Sequence, residues 1–196
     1  MQFIPNAITI LRILVTPFLI ACLFQQTIWY ASLACALFLT GAISDYVDGY
    51  VARTQKTQTK LGRHLDPVAD KVFVMGLFIS LAWLYPLIVP WWAVGVIILR
   101  DVFVTGLRLH ADSKHRSLPT LQFAKLKTVM QMGYLGILLI LLMLQYYSDT
   151  ATFSRELLYG NGMFILLSIV VLMTCLTGLS YLIIYFKKST ELLIHD

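Results

Sequence analysis

Six stretches of almost unbroken apolar residues divide the chain, at about 6–25, 28–52, 67–86, 90–109, 122–146 and 161–186. Each has roughly the 20 residues that a helix needs to cross the hydrocarbon core of a bilayer. Their ends carry breakers or polar residues, among them Gln25-Gln26, Pro86, Pro90 and Gly160-Asn161-Gly162. The stretches lie too close together for separate domains, and no low-complexity tract or internal repeat stands out. The pattern predicts an all-α integral membrane protein, a six-transmembrane-helix bundle forming a single domain over residues 1–196.

Composition strengthens that reading. Of 196 residues, 59% are apolar and 13% charged, against roughly 25% charged in soluble domains, and the mean hydropathy is +0.78. Trp29, Tyr30, Trp91, Trp92, Tyr146 and Tyr147 sit near segment ends, where aromatic rings bridge lipid and water. Residues 1–6 carry no basic stretch and no small-residue cleavage site follows, so the first segment is expected to be retained. Cys22, Cys35 and Cys175 fall inside apolar runs without metal or redox spacing, which points to packing.

The charges are placed unevenly. Arg53, Lys56, Lys60, Arg63 and Lys71 surround the connection between segments 2 and 3. Arg108, Lys114, Arg116, Lys125 and Lys127 surround that between 4 and 5, and Lys187 and Lys188 follow segment 6. The other three connections hold one basic residue, Arg155. The positive-inside rule then puts the basic connections and both termini in the cytoplasm, at the inner membrane of a bacterium or its equivalent. The formal charge of +5 suits contact with anionic membrane lipids, and no nucleic-acid partner is expected.

Candidate chemistry is concentrated between Asp45 and Lys71. Asp45 and Asp48 are spaced i, i+3 and share a helix face, with Gly49 and Ala52 leaving the backbone bare beside them. Gly62, Asp66 and Asp70 recur every four residues, so a helix there presents one small residue and two acids on one face. Four converging carboxylates without matching cations repel one another. Divalent metal relieves that repulsion, and hard oxygen donors favour Mg2+ or Mn2+ over zinc, with enough ligands for two ions. Individually, these acids have plainer explanations: Asp66 before Pro67 has the form of a helix N-cap, Asp48 has Arg53 as a partner, and Asp70 has Lys71.

The run Asp45-x-x-Asp48-Gly49-x-x-Ala52-Arg53, eight residues, then Gly62-x-x-x-Asp66-x-x-x-Asp70 resembles the full signature of the CDP-alcohol phosphotransferases. The resemblance implies a six-helix membrane fold, usually a homodimer, with its site at the cytoplasmic membrane surface. It implies metal binding by Asp45, Asp48, Asp66 and Asp70, with Asp70 also the proton acceptor. It further implies CDP-diacylglycerol binding by Asn6, Thr9, Gly49, Ala52, Arg53, Thr59 and Gly62.

Other stretches are similar to the subgroup forming phosphatidylglycerophosphate: Pro5-Asn6-Ala7-Ile8-Thr9 with Arg12, Asp66-Pro67-Val68-Ala69-Asp70-Lys71, Arg100-Asp101 with Gly106-Leu107-Arg108, and Lys125-x-Lys127-Thr128 with Gln131. The similarity thins after residue 131. Asp101 stands where many members of that subgroup carry Glu, and eukaryotic-type cardiolipin synthases also have Arg-Asp there, so both acceptors stay open. If glycerol 3-phosphate is the acceptor, its pocket needs positive charge. Arg100, Arg108, Lys125 and Lys127 are the available set, with Asp101 able to neutralise one of them, and Arg100 is costly inside an apolar segment unless paired or functional.

Two other classes share the acidic cluster. A cation transporter places its site near the bilayer midplane between repeated halves, whereas here the acids lie at one end and repeats are absent. An aspartate-rich prenyltransferase has no need of Gly49, Ala52-Arg53 and Gly62 at these spacings.

Overall fold

The computed structural model describes the backbone of residues 4–55, 60–113 and 122–193 and the side chains of residues 12–43, 71–111 and 126–185. The described chain is all helical: α1 (Ile4–Phe24), α2 (Ile28–Gln55), α3 (Lys60–Leu84), α4 (Trp91–Ser113), α5 (Gln122–Leu144), α6 (Ala151–Tyr159) and α7 (Asn161–Leu193). Six of these match the apolar stretches. The expected breakers end them: Gln26 takes a positive φ of 48° between α1 and α2, and the Pro90 carbonyl accepts the amides of Ala93 and Val94 at 3.0 and 3.4 Å as α4 begins.

One feature departs from expectation. The connection after α5 is itself a short helix, α6. Thr150 at its start accepts no capping bond from the helix amides and instead donates to the Leu144 carbonyl (2.8 Å), and buried Ser154 donates to that of Leu141 (3.1 Å). Both hydroxyls therefore fasten α6 to the end of α5. Gly160 closes it where a Cβ would lie 2.4 Å from the Glu156 carbonyl oxygen, a separation that excludes any side chain.

The apolar pattern predicts six spans. Among the described residues, Leu126–Leu144 and Asn161–Tyr185 are both long and apolar enough to cross a membrane. The described parts of the first three helices carry further apolar runs, Arg12–Phe24, Ile28–Ile43 and Lys71–Leu84. As a whole α1, with 21 residues, extends about 31 Å at 1.5 Å per residue. Arg100, Asp101 and Arg108 interrupt α4, and Asp45, Asp48 and Arg53 occupy the second half of α2.

α1 packs against α2 and α3, α2 against α5, and α4 and α5 against α7. Leu19, Ala34, Phe73, Leu77, Leu81, Ile97, Leu135 and Leu138 are fully enclosed in a continuous core. Large apolar side chains also cover the outside: Leu99, Val129 and Ile183 are 73%, 67% and 67% exposed on three different helices. An outer surface this apolar is matched to lipid rather than water.

The Phe38 and Phe73 rings stack at 5.8 Å and join α2 to α3, and Gly41 is bare where a Cβ would come within 3.1 Å of the Phe73 ring. This contact sets the direction of both helices. From Phe38, α2 continues for 17 residues, and α3 takes 13 residues to reach Phe73, or about 26 and 20 Å of helix. Parallel helices would thus separate the two ends by about 45 Å, while the four intervening residues reach at most about 18 Å. The helices must run antiparallel, so the end of α2 and the start of α3 lie at the same end of the bundle.

Phe73→Ala removes a fully buried ring and is expected to lower stability by about 3 kcal/mol or more. Thermal unfolding of the detergent-solubilised protein measures this, and an unchanged midpoint would contradict the packing.

Candidate active site

Asp45 lies one helical turn beyond Gly41 along α2, and Asp70 lies three residues before Phe73 on α3. With α2 and α3 antiparallel, the two pairs of acids start about two turns beyond Phe38 and one turn before Phe73, on the same side of that contact. Asp66 lies six residues inside α3, so the N-cap explanation of Asp66-Pro67 fails and the four-residue spacing of Gly62, Asp66 and Asp70 is a helical one. The side chains of Asp45, Asp48, Asp66 and Asp70 lie outside the described residues. So do those of Asn6 and Thr9 on α1, Gly49, Ala52 and Arg53 on α2, Gly62 on α3 and Lys125 on α5; Thr59 lies outside them altogether. Among the described residues no three His, Cys, Asp or Glu side chains cluster.

Immediately after Asp70 the chain enters a cavity of about 220 Å³ enclosed by α3, α4, α5 and α7. At about 30 Å³ per water, that is room for roughly seven waters, or one small polar molecule. Three of the four candidate acceptor residues line it: Arg100, Arg108 and Lys127. Lys71 joins them, so its side chain faces this cavity as well as following Asp70 in sequence. Against these four cations the described lining holds one carboxylate, Asp101.

Asp101 does more than neutralise one neighbour. Lys127 donates to both of its oxygens at 2.7 Å, and Arg100 donates through Nη1 to Oδ1 at 2.9 Å. Lys127 is 4% exposed and Asp101 7%, so each needs the other: an isolated charge this deep would be strongly disfavoured. Arg100 Nη2 also donates to Thr177 Oγ1 on α7 at 2.9 Å. Arg108 donates to the Tyr181 hydroxyl and lies over the Tyr181 ring, 4.7 Å from its centroid. Lys71 donates to Thr105 Oγ1, which in turn donates to the Asp101 carbonyl at 2.6 Å. The Nε atoms of Arg100 and Arg108 are buried without a hydrogen-bond partner among the described residues. The cavity therefore carries positive charge in excess, a requirement for holding a small anion.

Thr177 and Tyr181 of α7 are not among the residues the sequence singles out. A signal existed: Thr174, Thr177, Gly178 and Tyr181 follow the i, i+3, i+4, i+7 rhythm of one helix face, a small and polar stripe in an otherwise apolar segment. Thr105 gave no such cue.

The described helices, with an apolar exterior and a cationic cavity between α3, α4, α5 and α7, define a helical membrane-associated protein. The family model for CDP-alcohol phosphatidyltransferase matches residues 2–180, and the chain belongs to that family, whose members use divalent metal ions. Three curated relatives all bear the name CDP-diacylglycerol–glycerol-3-phosphate 3-phosphatidyltransferase. The one from Cereibacter sphaeroides is 38% identical over 138 residues, which cover 69% of this chain and 62% of the relative. That from Pectobacterium atrosepticum is 33% identical, covering 71% and 78%, and that from Yersinia pestis 32%, covering 67% and 74%. The match thus spans less than two thirds of the first relative's length.

Asp101→Asn leaves Lys127 buried without its counter-charge and is expected to destabilise the fold by about 3–5 kcal/mol. The double variant Asp101→Asn, Lys127→Met removes the stranded charge and should recover part of that loss. Denaturation of both variants tests the pairing; equal stability of Asp101→Asn and the unmodified protein would contradict it.

Proposed function

We propose that the chain transfers the phosphatidyl group of CDP-diacylglycerol to sn-glycerol 3-phosphate, forming phosphatidylglycerophosphate and CMP. The observation that carries this reading is the cationic cavity next to Asp70: neutral glycerol would have no use for Arg100, Arg108 and Lys127 around one small chamber. The names of the relatives agree with it. Lys125, two residues before Lys127 on α5, completes the proposed acceptor-binding set.

In this mechanism the acceptor's phosphate is held by the cavity, which presents the acceptor hydroxyl to the acids. Its oxygen forms a bond to the lipid-bearing β-phosphorus, the bond from that phosphorus to the CMP oxygen breaks, and the hydroxyl proton passes to Asp70. Asn6, Thr9, Gly49, Ala52, Arg53, Thr59 and Gly62 hold CDP-diacylglycerol, the glycines and the alanine by letting the nucleotide approach the helix backbone. Asp45, Asp48, Asp66 and Asp70 form a donor set suited to Mg2+ or Mn2+, two ions by ligand count, which when bound offset pyrophosphate charge. Hard carboxylate donors in two helical pairs at one end of the bundle suit such ions.

The same reading makes residues 1–196 one membrane domain of six spans, with α6 at the far interface. The acids and the cavity are assigned to the end of the bundle where basic connections accumulate, which supports a cytoplasmic site and cytoplasmic termini. A homodimer is expected from the family resemblance.

Release of CMP by the purified protein tests this function. Excess chelator should abolish turnover, with Mg2+ or Mn2+ restoring it; full activity in chelator would remove the metal from the reaction. A charge-assisted contact contributes roughly 1.5–3 kcal/mol, so Arg100→Ala and Lys127→Ala should each raise the KM for glycerol 3-phosphate about tenfold or more. The KM for CDP-diacylglycerol should change far less. Unaltered use of glycerol 3-phosphate by both variants would take these residues out of the acceptor site.

A further inference from the structure

The two arginines of the cavity are spaced eight residues apart on α4, about 12 Å along the axis, and both reach across to α7. Arg100 donates to Thr177 Oγ1 at 2.9 Å. That oxygen's own proton is directed to its helix carbonyls at Met173 and Thr174, each 2.9 Å away, so it meets Arg100 as an acceptor. Gly178 stands beside the stem of Arg100: a Cβ there would come within 3.1 Å of Arg100 Cγ. One turn further, the fully enclosed Tyr181 receives Arg108 on both its hydroxyl and its ring face. Arg100 lies within 5.9 Å of the same ring centroid.

We propose that Thr177, Gly178 and Tyr181 of α7 are positioning residues for the acceptor, acting through Arg100 and Arg108; this rests on the acceptor-phosphate reading of the cavity. A guanidinium is a planar fork whose directional donors match a phosphate, and its value depends on how little freedom it loses when the anion arrives. Thr177 and Tyr181 each occupy one edge or face of a fork. The bare backbone at Gly178 lets the Arg100 stem lie close against α7. Helix α7, which adds no charged residue to the described lining of the cavity, thereby sets the aim of the charges.

A merely structural role for α7 is separated from this one by two thermodynamic cycles. Tyr181→Phe keeps the ring and removes the hydroxyl, and Thr177→Val keeps the shape and removes the acceptor. Each should raise the KM for glycerol 3-phosphate about fivefold, with kcat and the KM for CDP-diacylglycerol changed less than about twofold, which also reports intact folding. In an Arg108→Ala background Tyr181→Phe should add nothing further, and Thr177→Val should add nothing in an Arg100→Ala background. Penalties that persist undiminished in those backgrounds, or that fall equally on kcat and both substrates, would overturn the positioning role. If Arg100→Ala and Arg108→Ala themselves leave acceptor KM unchanged, the acceptor-site reading fails, and the positioning role with it.

Discussion

Asp101 is gripped by Lys127 from α5 and by Arg100 from its own helix, and through Arg100 it is connected to Thr177 on α7. Three helices of an apolar bundle thus meet around one carboxylate. The constraint behind this arrangement is that a charge placed in low-dielectric surroundings must be paired or must shed its charge. A cavity meant for an anion needs cations, and cations this deep need a carboxylate to persist when no anion is bound. One Asp among four cations meets both needs: the network holds together, and positive charge remains in excess.

That arrangement is useful because of where the chain reversal between α2 and α3 puts the acids. The Phe38–Phe73 stack forces the two helices antiparallel and brings the two pairs of acids to the same level. Asp70 precedes Lys71, whose side chain lines the cationic cavity. Opposite charges would collapse onto each other if they shared one chamber. On the proposed function, the acids carried on α2 and α3 serve the pyrophosphate and the cations along α4 and α5 serve the acceptor, a division that suits transfer between two anionic substrates.

Much of this was legible in the sequence, for identifiable reasons. The apolar stretches located six of the seven helices because lipid-facing and core-facing residues are both apolar, which leaves the polar breaks as unambiguous ends. The spacing of Asp45, Asp48, Gly62, Asp66 and Asp70 carried its own geometry, and the helical backbone at Asp66 agrees with it. Arg100, Arg108 and Lys127 could be gathered because intramembrane cations are conspicuous. The helix α6 was hidden because Arg155 and Glu156 dilute a short amphipathic turn. Of the six expected spans, two are carried in full by described residues, Leu126–Leu144 and Asn161–Tyr185. Tyr181, Thr177 and Thr105 escaped notice because such residues are common in membrane helices, and only packing reveals which of them face a guanidinium or an ammonium.

On the proposed function, the cavity's charge selects a phosphorylated acceptor. The most direct measurement is CMP release by the purified, metal-loaded protein with CDP-diacylglycerol and, in parallel, glycerol 3-phosphate, glycerol or phosphatidylglycerol as acceptor. The account predicts efficient turnover with glycerol 3-phosphate and at least about a tenfold lower kcat/KM with neutral glycerol, the loss expected when charge-assisted contacts go unmade. Equal use of glycerol, or preference for phosphatidylglycerol, would contradict it.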